Sequence, residues 1–311
     1  MKRPKILAPV DFSNASRRAL AYAVDVAQRE QADLTILTAC PMPLEIAPSV
    51  AMEFARIHDG VTLENYIRKQ GEERQAALLE EMSVPPAIRE AAKVEVGEPV
   101  ESILAYLANH DLAILGTHGR KGIDHLFMGS VAEFVVRSAA APVIVVGAHT
   151  DRPARFPPKK ILVPIDFSEG ARSAFFAANR LAVKHDAEVD LLHVVHHPEG
   201  IDGLQSMFVQ LQGQEPVTVG AYAQSKIEDE LGLFLTGHFE ERLPDLHIED
   251  GKPNEVIGRF AANGGYDLVA MGTHGRSGLA RFSIGSVAER VMRTSEVPVM
   301  VVRREDEEVI E

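Results

Sequence analysis

The stretch GTHGRKGIDHLFMGS at residues 116–130 places glycines at 116, 119 and 129 and follows the last at once with a serine. It recurs as GTHGRSGLARFSIGS at 272–286, with the same internal spacing and an offset of 156 residues. The repetition extends in both directions. KILAPVDFSN at 5–14 matches KILVPIDFSE at 160–169, and SVAEFVVRSAAAPVIVVG at 130–147 matches SVAERVMRTSEVPVMVVR at 286–303. Start, middle and end recur in order, as they do when one unit has been copied in tandem. The polar, proline-rich AHTDRPARFPPK at 148–159 has linker character. Domains are therefore expected over 1–148 and 157–311.

Within the first copy, short apolar runs alternate with longer stretches of helical spacing. Strands are expected over Lys5–Val10, Asp33–Ala39, Ala92–Val96, Leu112–Gly116 and Val143–Val146. Between the first two lies SNASRRALAYAVDVAQREQ at 13–31, a helix whose N-cap is suited to Ser13 or Asn14. Near-continuous apolar strands such as LAILG and PVIVV suit a sheet buried on both faces. Strands alternating with helices imply right-handed crossovers and a parallel sheet. The fold class expected is α/β, with two tandem doubly wound parallel-sheet domains of Rossmann-like type. The segments Pro41–Ala91 and His196–Ile248 show no visible match, and each is expected to hold a helix, over Asn65–Met82 and Tyr222–Arg242.

Each glycine frame follows an apolar strand and precedes a helix, at the carboxyl edge where α/β sheets bind ligands. Glycine permits positive φ and close approach of a ligand to the backbone. Backbone N–H groups at a helix start then form an anion site. Ser130 with Glu133, and Ser286 with Glu289, have the spacing of a capping box. The frame is neither G-x-G-x-x-G nor G-x-x-x-x-G-K-[ST], which disfavours a standard dinucleotide fold and a P-loop nucleotidase. Phosphate binding at both frames is the reading.

The frame G-x2-G-x9-G-[ST], with the strand ends VDFS at 10–13 and IDFS at 165–168, resembles that of the universal stress proteins that bind ATP. Both halves share the resemblance, apart from the two inserts, and the tandem arrangement is similar to the family's two-domain, stress-protein-E-like members. The resemblance implies that Asp11 and Asp166 contact the nucleoside and that the glycine loops with their serines hold the phosphates. In the first copy the implied ATP-binding positions are Pro9, Val10, Asp11, Gly116, His118, Gly119, Arg120, Gly129, Ser130 and Val131. In the second they are Pro164, Ile165, Asp166, Gly272, His274, Gly275, Arg276, Arg281, Gly285, Ser286 and Val287. The ligand is ATP, with or without Mg2+. The resemblance also implies a contact between the last strands, so that PVIVV faces PVMVV in an internal pseudo-dimer, with homodimerisation as a further step.

The function expected is that of a regulatory or sensor protein of the stress response with little or no turnover. Slow ATP hydrolysis or nucleotidyl chemistry at the same sites is the alternative. No paired base, arginine finger or Walker-type lysine accompanies Asp11 or Asp166, so no catalytic residue is assigned. His193, His196 and His197 are close in sequence, but the first copy has TACPM at 38–42 there and no metal site is assigned. Cys40, the single cysteine, excludes an intrachain disulfide and reads as a small apolar residue in a reducing, cytoplasmic setting. The net charge of −13 excludes a general nucleic-acid binder, and no apolar run is long enough to span a bilayer. An unidentified protein client remains, with LQSMFVQLQG at 204–213 as a candidate interface helix. Between the frame glycines, Asp124 and His125 correspond to Ala280 and Arg281, while Lys121 corresponds to Ser277. A fixed guanidinium in the second copy is expected to tighten its hold on phosphate.

Overall fold

The computed structural model describes residues 3–42, 48–58, 60–117, 128–147, 155–195, 208–210, 216–235, 244–273 and 284–303. The first half runs β1 (Lys5–Pro9), α1 (Asn14–Glu30), β2 (Asp33–Cys40), α2 (Pro48–Ile57), α3 (Leu63–Glu81), α4 (Pro86–Arg89), β3 (Lys93–Val96), α5 (Pro99–Leu107), β4 (Leu112–Gly116), α6 (Ser130–Ser138) and β5 (Val143–Val146). The second runs β6 (Lys160–Ile165), α7 (Glu169–His185), β7 (Glu188–Val195), β8 (Phe208–Val209), β9 (Val217–Thr218), α8 (Val219–Phe234), β10 (Asp245–Asp250), α9 (Pro253–Asn263), β11 (Leu268–Gly272), α10 (Ser286–Thr294) and β12 (Val299–Val302).

Ten strands form one sheet in the order β10-β7-β6-β11-β12-β5-β4-β1-β2-β3. Each half contributes five parallel strands, and the halves meet where β12 pairs antiparallel with β5, Val299 opposite Val145 and Val301 opposite Val143. The strand order within each half reverses direction at β1 and β6, as a doubly wound sheet requires. Alternate strand residues enter opposite cores. Ile6 and Ala8 face the core covered by α1, α3, α7 and α8, whereas Leu7 faces that covered by α5, α6, α9 and α10. Both cores continue across the β5–β12 junction, since each contains buried residues of both halves.

Local chemistry sets the helix starts. Ser13 and Ser168 are the N-caps of α1 and α7, each accepting a backbone N–H three residues on. The expected strands lie within a residue of those found: β1 ends at Pro9 rather than Val10, β2 reaches Cys40, and β3 begins at Lys93. Helix α3 starts two residues before the expected Asn65 and ends one before Met82, because Thr62 caps it through Asn65 N–H at 3.2 Å. Helix α8 starts at Val219 rather than Tyr222, capped in the same way by Thr218, and residues 236–242 of the expected helix lie outside the described residues. Phe208–Val209 pair antiparallel with Val217–Thr218, so this part of the 204–213 stretch is extended rather than the helix expected there.

At the amino ends of the second half's strands, four ionisable groups converge. The Tyr266 hydroxyl donates to Asp190 Oδ2 at 2.7 Å, Lys160 Nζ lies 3.1 Å from the same oxygen, and His247 Nε2 lies 3.6 Å away. At the positions of Tyr266 and Asp190 the first half has His110 and Thr35, whose Nε2 and Oγ1 lie 2.9 Å apart. Burial pushes the Asp190 carboxyl up, but the Tyr266 hydroxyl and the Lys160 ammonium outweigh it and hold it below the usual carboxylate range. A carboxyl depressed on folding contributes stability above its unfolded pKa, and that contribution disappears as pH falls through the folded value. Asp190→Asn should therefore cost about 2 kcal/mol near neutral pH. Urea unfolding as a function of pH should show the gap to the wild type closing below about pH 4.

Candidate functional site

Two turns with nearly identical geometry occupy the carboxyl ends of β1 and β6. Asp11 Oδ1 accepts the Ser13 N–H at 3.1 Å and the Ser13 hydroxyl at 2.6 Å. Asp166 Oδ1 accepts the Ser168 N–H and hydroxyl at the same two distances. Each serine also caps the following helix, so one side chain orients the carboxylate and starts the helix. The intervening residues, Phe12 and Phe167, are held at φ 69° and 61°. A left-handed backbone at a bulky residue costs about 1–2 kcal/mol, and strain of this kind concentrates at functional sites. Val10 is buried and donates its N–H to Leu37 O at 2.8 Å, while Ile165 O, next to Pro164, meets His193 Nδ1 at 2.9 Å.

The glycine frames begin beside these turns. A Cβ on Gly116 would sit 2.5 Å from the Ala15 carbonyl carbon, and one on Gly272 would sit 2.4 Å from that of Gly170. Both glycines are therefore required by the close crossing of the strand end over the first turn of α1 or α7. Neither adopts the positive φ that glycine permits. The crossing brings the aspartate turn and the frame to one edge. Gly129 N–H donates to Thr117 O at 2.7 Å and Gly285 N–H to Thr273 O at 2.8 Å, drawing the two ends of each frame together.

The frame's far end also differs from expectation. Gly129 and Gly285 are the N-caps, at ordinary φ of −62° and −61°, and Ser130 and Ser286 are the first helical residues. Neither helix has a side-chain cap, so the capping box expected of Ser130 with Glu133 and Ser286 with Glu289 is not formed. Shifting the serine one residue into the helix removes its hydroxyl from the capping position and leaves it exposed. Val131 and Val287 pack partly buried beneath it. His118, Gly119, Arg120, His274, Gly275, Arg276 and Arg281 lie outside the described residues, as do Lys121, Asp124, His125, Ser277 and Ala280. So do His196 and His197. Among the described residues no group of histidines, cysteines or carboxylates is placed to hold a metal ion.

A cavity of about 280 Å³ opens beside Asp11, between the end of β2 and helix α3. Its walls include Phe12, Thr38, Cys40, Tyr66, Gln70 and Arg74, and the Arg74 guanidinium carbon lies 4.4 Å above the Phe12 ring. Sequence reasoning missed the α3 wall, although Tyr66, Gln70 and Arg74 recur at helical spacing.

The model of the universal stress protein family matches residues 2–147 and again 157–303. The chain belongs to this family. A universal stress protein of Methanocaldococcus jannaschii is 31% identical over 162 residues, covering 48% of this chain and 96% of that protein. One of Mycobacterium bovis is 24% identical over 310 residues, covering 96% of this chain and 94% of that protein. The crystal structure of a universal stress protein from Archaeoglobus fulgidus DSM 4304, 22% identical, matches with a TM-score of 0.65 and covers 98% of this chain and 100% of its own. The likeness confirms a fold with two universal stress domains in tandem. Because overpacking a tight backbone crossing costs about 1–3 kcal/mol, Gly116→Ala and Gly272→Ala should each destabilise this universal stress protein by that amount. Chemical denaturation measures it, and a loss under 0.5 kcal/mol would contradict the tightness of the crossing.

Proposed function

We propose that this universal stress protein binds ATP at two sites, one in each of the domains 1–148 and 157–311, and acts as a regulator or sensor with little or no turnover. One observation carries the reading: an oriented carboxylate turn and an uncapped helix start share one sheet edge, joined by an obligatory glycine contact, in both halves. Asp11 and Asp166 would take the nucleoside through hydrogen bonds to their carboxylates. The first-turn N–H groups of Ser130 and Val131, and of Ser286 and Val287, with the Ser130 and Ser286 hydroxyls, would take the phosphates. Those N–H groups receive no acceptor from a capping side chain, and the helix dipole favours an anion there. Mg2+ would accompany the phosphates as their counter-ion. Asp11 Oδ1 and Asp166 Oδ1 each already accept two hydrogen bonds from a serine, which suits orientation better than proton abstraction. We place the protein in the cytoplasm with a protein client as its output.

Calorimetry with ATP should give saturable binding, and phosphate release should stay well below about 1 s⁻¹, the lower end of ordinary enzyme turnover. Gly129→Glu and Gly285→Glu, which put a carboxylate at each helix start, should each remove one site. Wild-type protein that gives no heat with ATP would refute the reading. Turnover above that rate would move the protein to the hydrolases.

A further inference from the structure

The two insert helices are counterparts, and they differ where they face the nucleoside end of the candidate sites. Thr62 and Thr218 cap α3 and α8 at the 156-residue offset of the glycine frames, and Leu78 and Leu79 are buried as Phe234 and Leu235 are. At that offset Gly71 corresponds to Ile227, Arg74 to Glu230 and Gln75 to Leu231. On the preceding strands, at the 155-residue offset, Thr38 corresponds to His193 and Cys40 to Val195.

In the first half, a Cβ on Gly71 would lie 2.8 Å from both Cys40 Sγ and Val94 Cγ1, so α3 sits tight against β2 and β3. Buried Gln75 fixes it there, donating from Nε2 to Thr38 Oγ1 at 2.9 Å and to Lys93 O at 3.1 Å. Arg74 is thereby held over Phe12 at the edge of the cavity that Asp11 lines. The second half is built differently. The His193 ring lies 5.0 Å from the Phe167 ring, and Phe234 packs edge-on to Phe167 at 5.9 Å. Apolar Ile227 and Leu231 replace the glycine and the glutamine, and a carboxylate replaces the guanidinium.

We infer that Arg74 is a specificity-determining residue for an anionic nucleotide and that the first half holds the tighter of the two sites. The inference rests on the ATP reading above and adds the ranking and the residue that sets it. Arg74 puts a guanidinium on the wall of the cavity that adjoins Asp11, from where its charge acts on the phosphates bound at the neighbouring helix start, whereas the corresponding position in the second half carries the carboxylate of Glu230. The expectation from Arg281 concerned the phosphate end and favoured the second half. The nucleoside end favours the first. Cys40 reports on the difference, because the chain's single thiol lines the first cavity and its counterpart is Val195.

The full-length protein should be titrated with ATP by calorimetry while alkylation of Cys40 by iodoacetamide is timed at each ATP concentration. Alkylation should slow in step with the tighter isotherm. Arg74→Glu should weaken that site about tenfold, Arg74→Lys should retain affinity within about threefold, and Glu230→Arg should tighten the weaker site. Uncharged adenosine should lose most of the dependence on residue 74. ATP binding without Cys40 protection, protection that follows the weaker isotherm, or an unchanged tighter site in Arg74→Glu would each overturn the inference while the ATP reading stands. Absence of ATP binding in the wild type would overturn both.

Discussion

The antiparallel pairing of β5 with β12 is the contact on which the rest of the molecule depends. Each half ends in a four-residue apolar strand, VIVV or VMVV, that would otherwise be an open sheet edge. An exposed edge of that composition invites uncontrolled association. Pairing the two edges buries every residue of both strands and makes the cores on each face continuous from one half to the other. Duplication thus supplies a strand and its partner within one chain. The remaining edges are β3 and β10, which carry charged residues such as Lys93, Glu95, Asp245 and Glu249.

A second contact between the halves lies where α1 and α7 end. Glu30, with its side chain largely buried, meets His185 Nε2 at 2.5 Å and the Lys184 ammonium. Phe156, from the segment between the halves, packs edge-on against both Tyr22 and His185. Burial pushes the Tyr22 hydroxyl up, which keeps it neutral in this setting. The sheet junction and this polar contact together hold the two sites in a fixed relation. The strand pairing supplies the apolar burial, and the Glu30–Lys184 ion pair adds directionality at a desolvation cost.

Each site is made by a backbone crossing rather than by a long-range side-chain network. Gly116 and Gly272 let a strand end pass over a helix start, which draws the carboxylate turn and the glycine frame to one edge. Serine at the N-cap ties both devices together, since Ser13 and Ser168 serve the helix and the carboxylate at once. This scaffold is the same in both halves. Their chemistry diverges on α3 and α8, where Arg74 lies over Phe12 in the first half and Phe234 packs on Phe167 in the second.

The sequence alone determined the duplication, the parallel α/β class, the first half's strand positions to within a residue, and the aspartate and glycine motifs. These are written in local patterns: period-two and helical spacing, N-cap residues, and identities repeated at 155 or 156 residues. Tertiary structure decided the rest. That Gly129 and Gly285, rather than the serines, cap their helices turns on a one-residue difference in backbone path. That Gly116 is required by Ala15 depends on a contact across about a hundred residues, which no local pattern records. The correspondence of α3 with α8 was hidden because Leu78 and Phe234, or Gly71 and Ile227, share a buried position without sharing a side chain. Burial conserves the place of a side chain against a core, whereas sequence comparison sees only its identity. The cavity beside Asp11 therefore emerged only when β2 and α3, distant in the chain, were packed together.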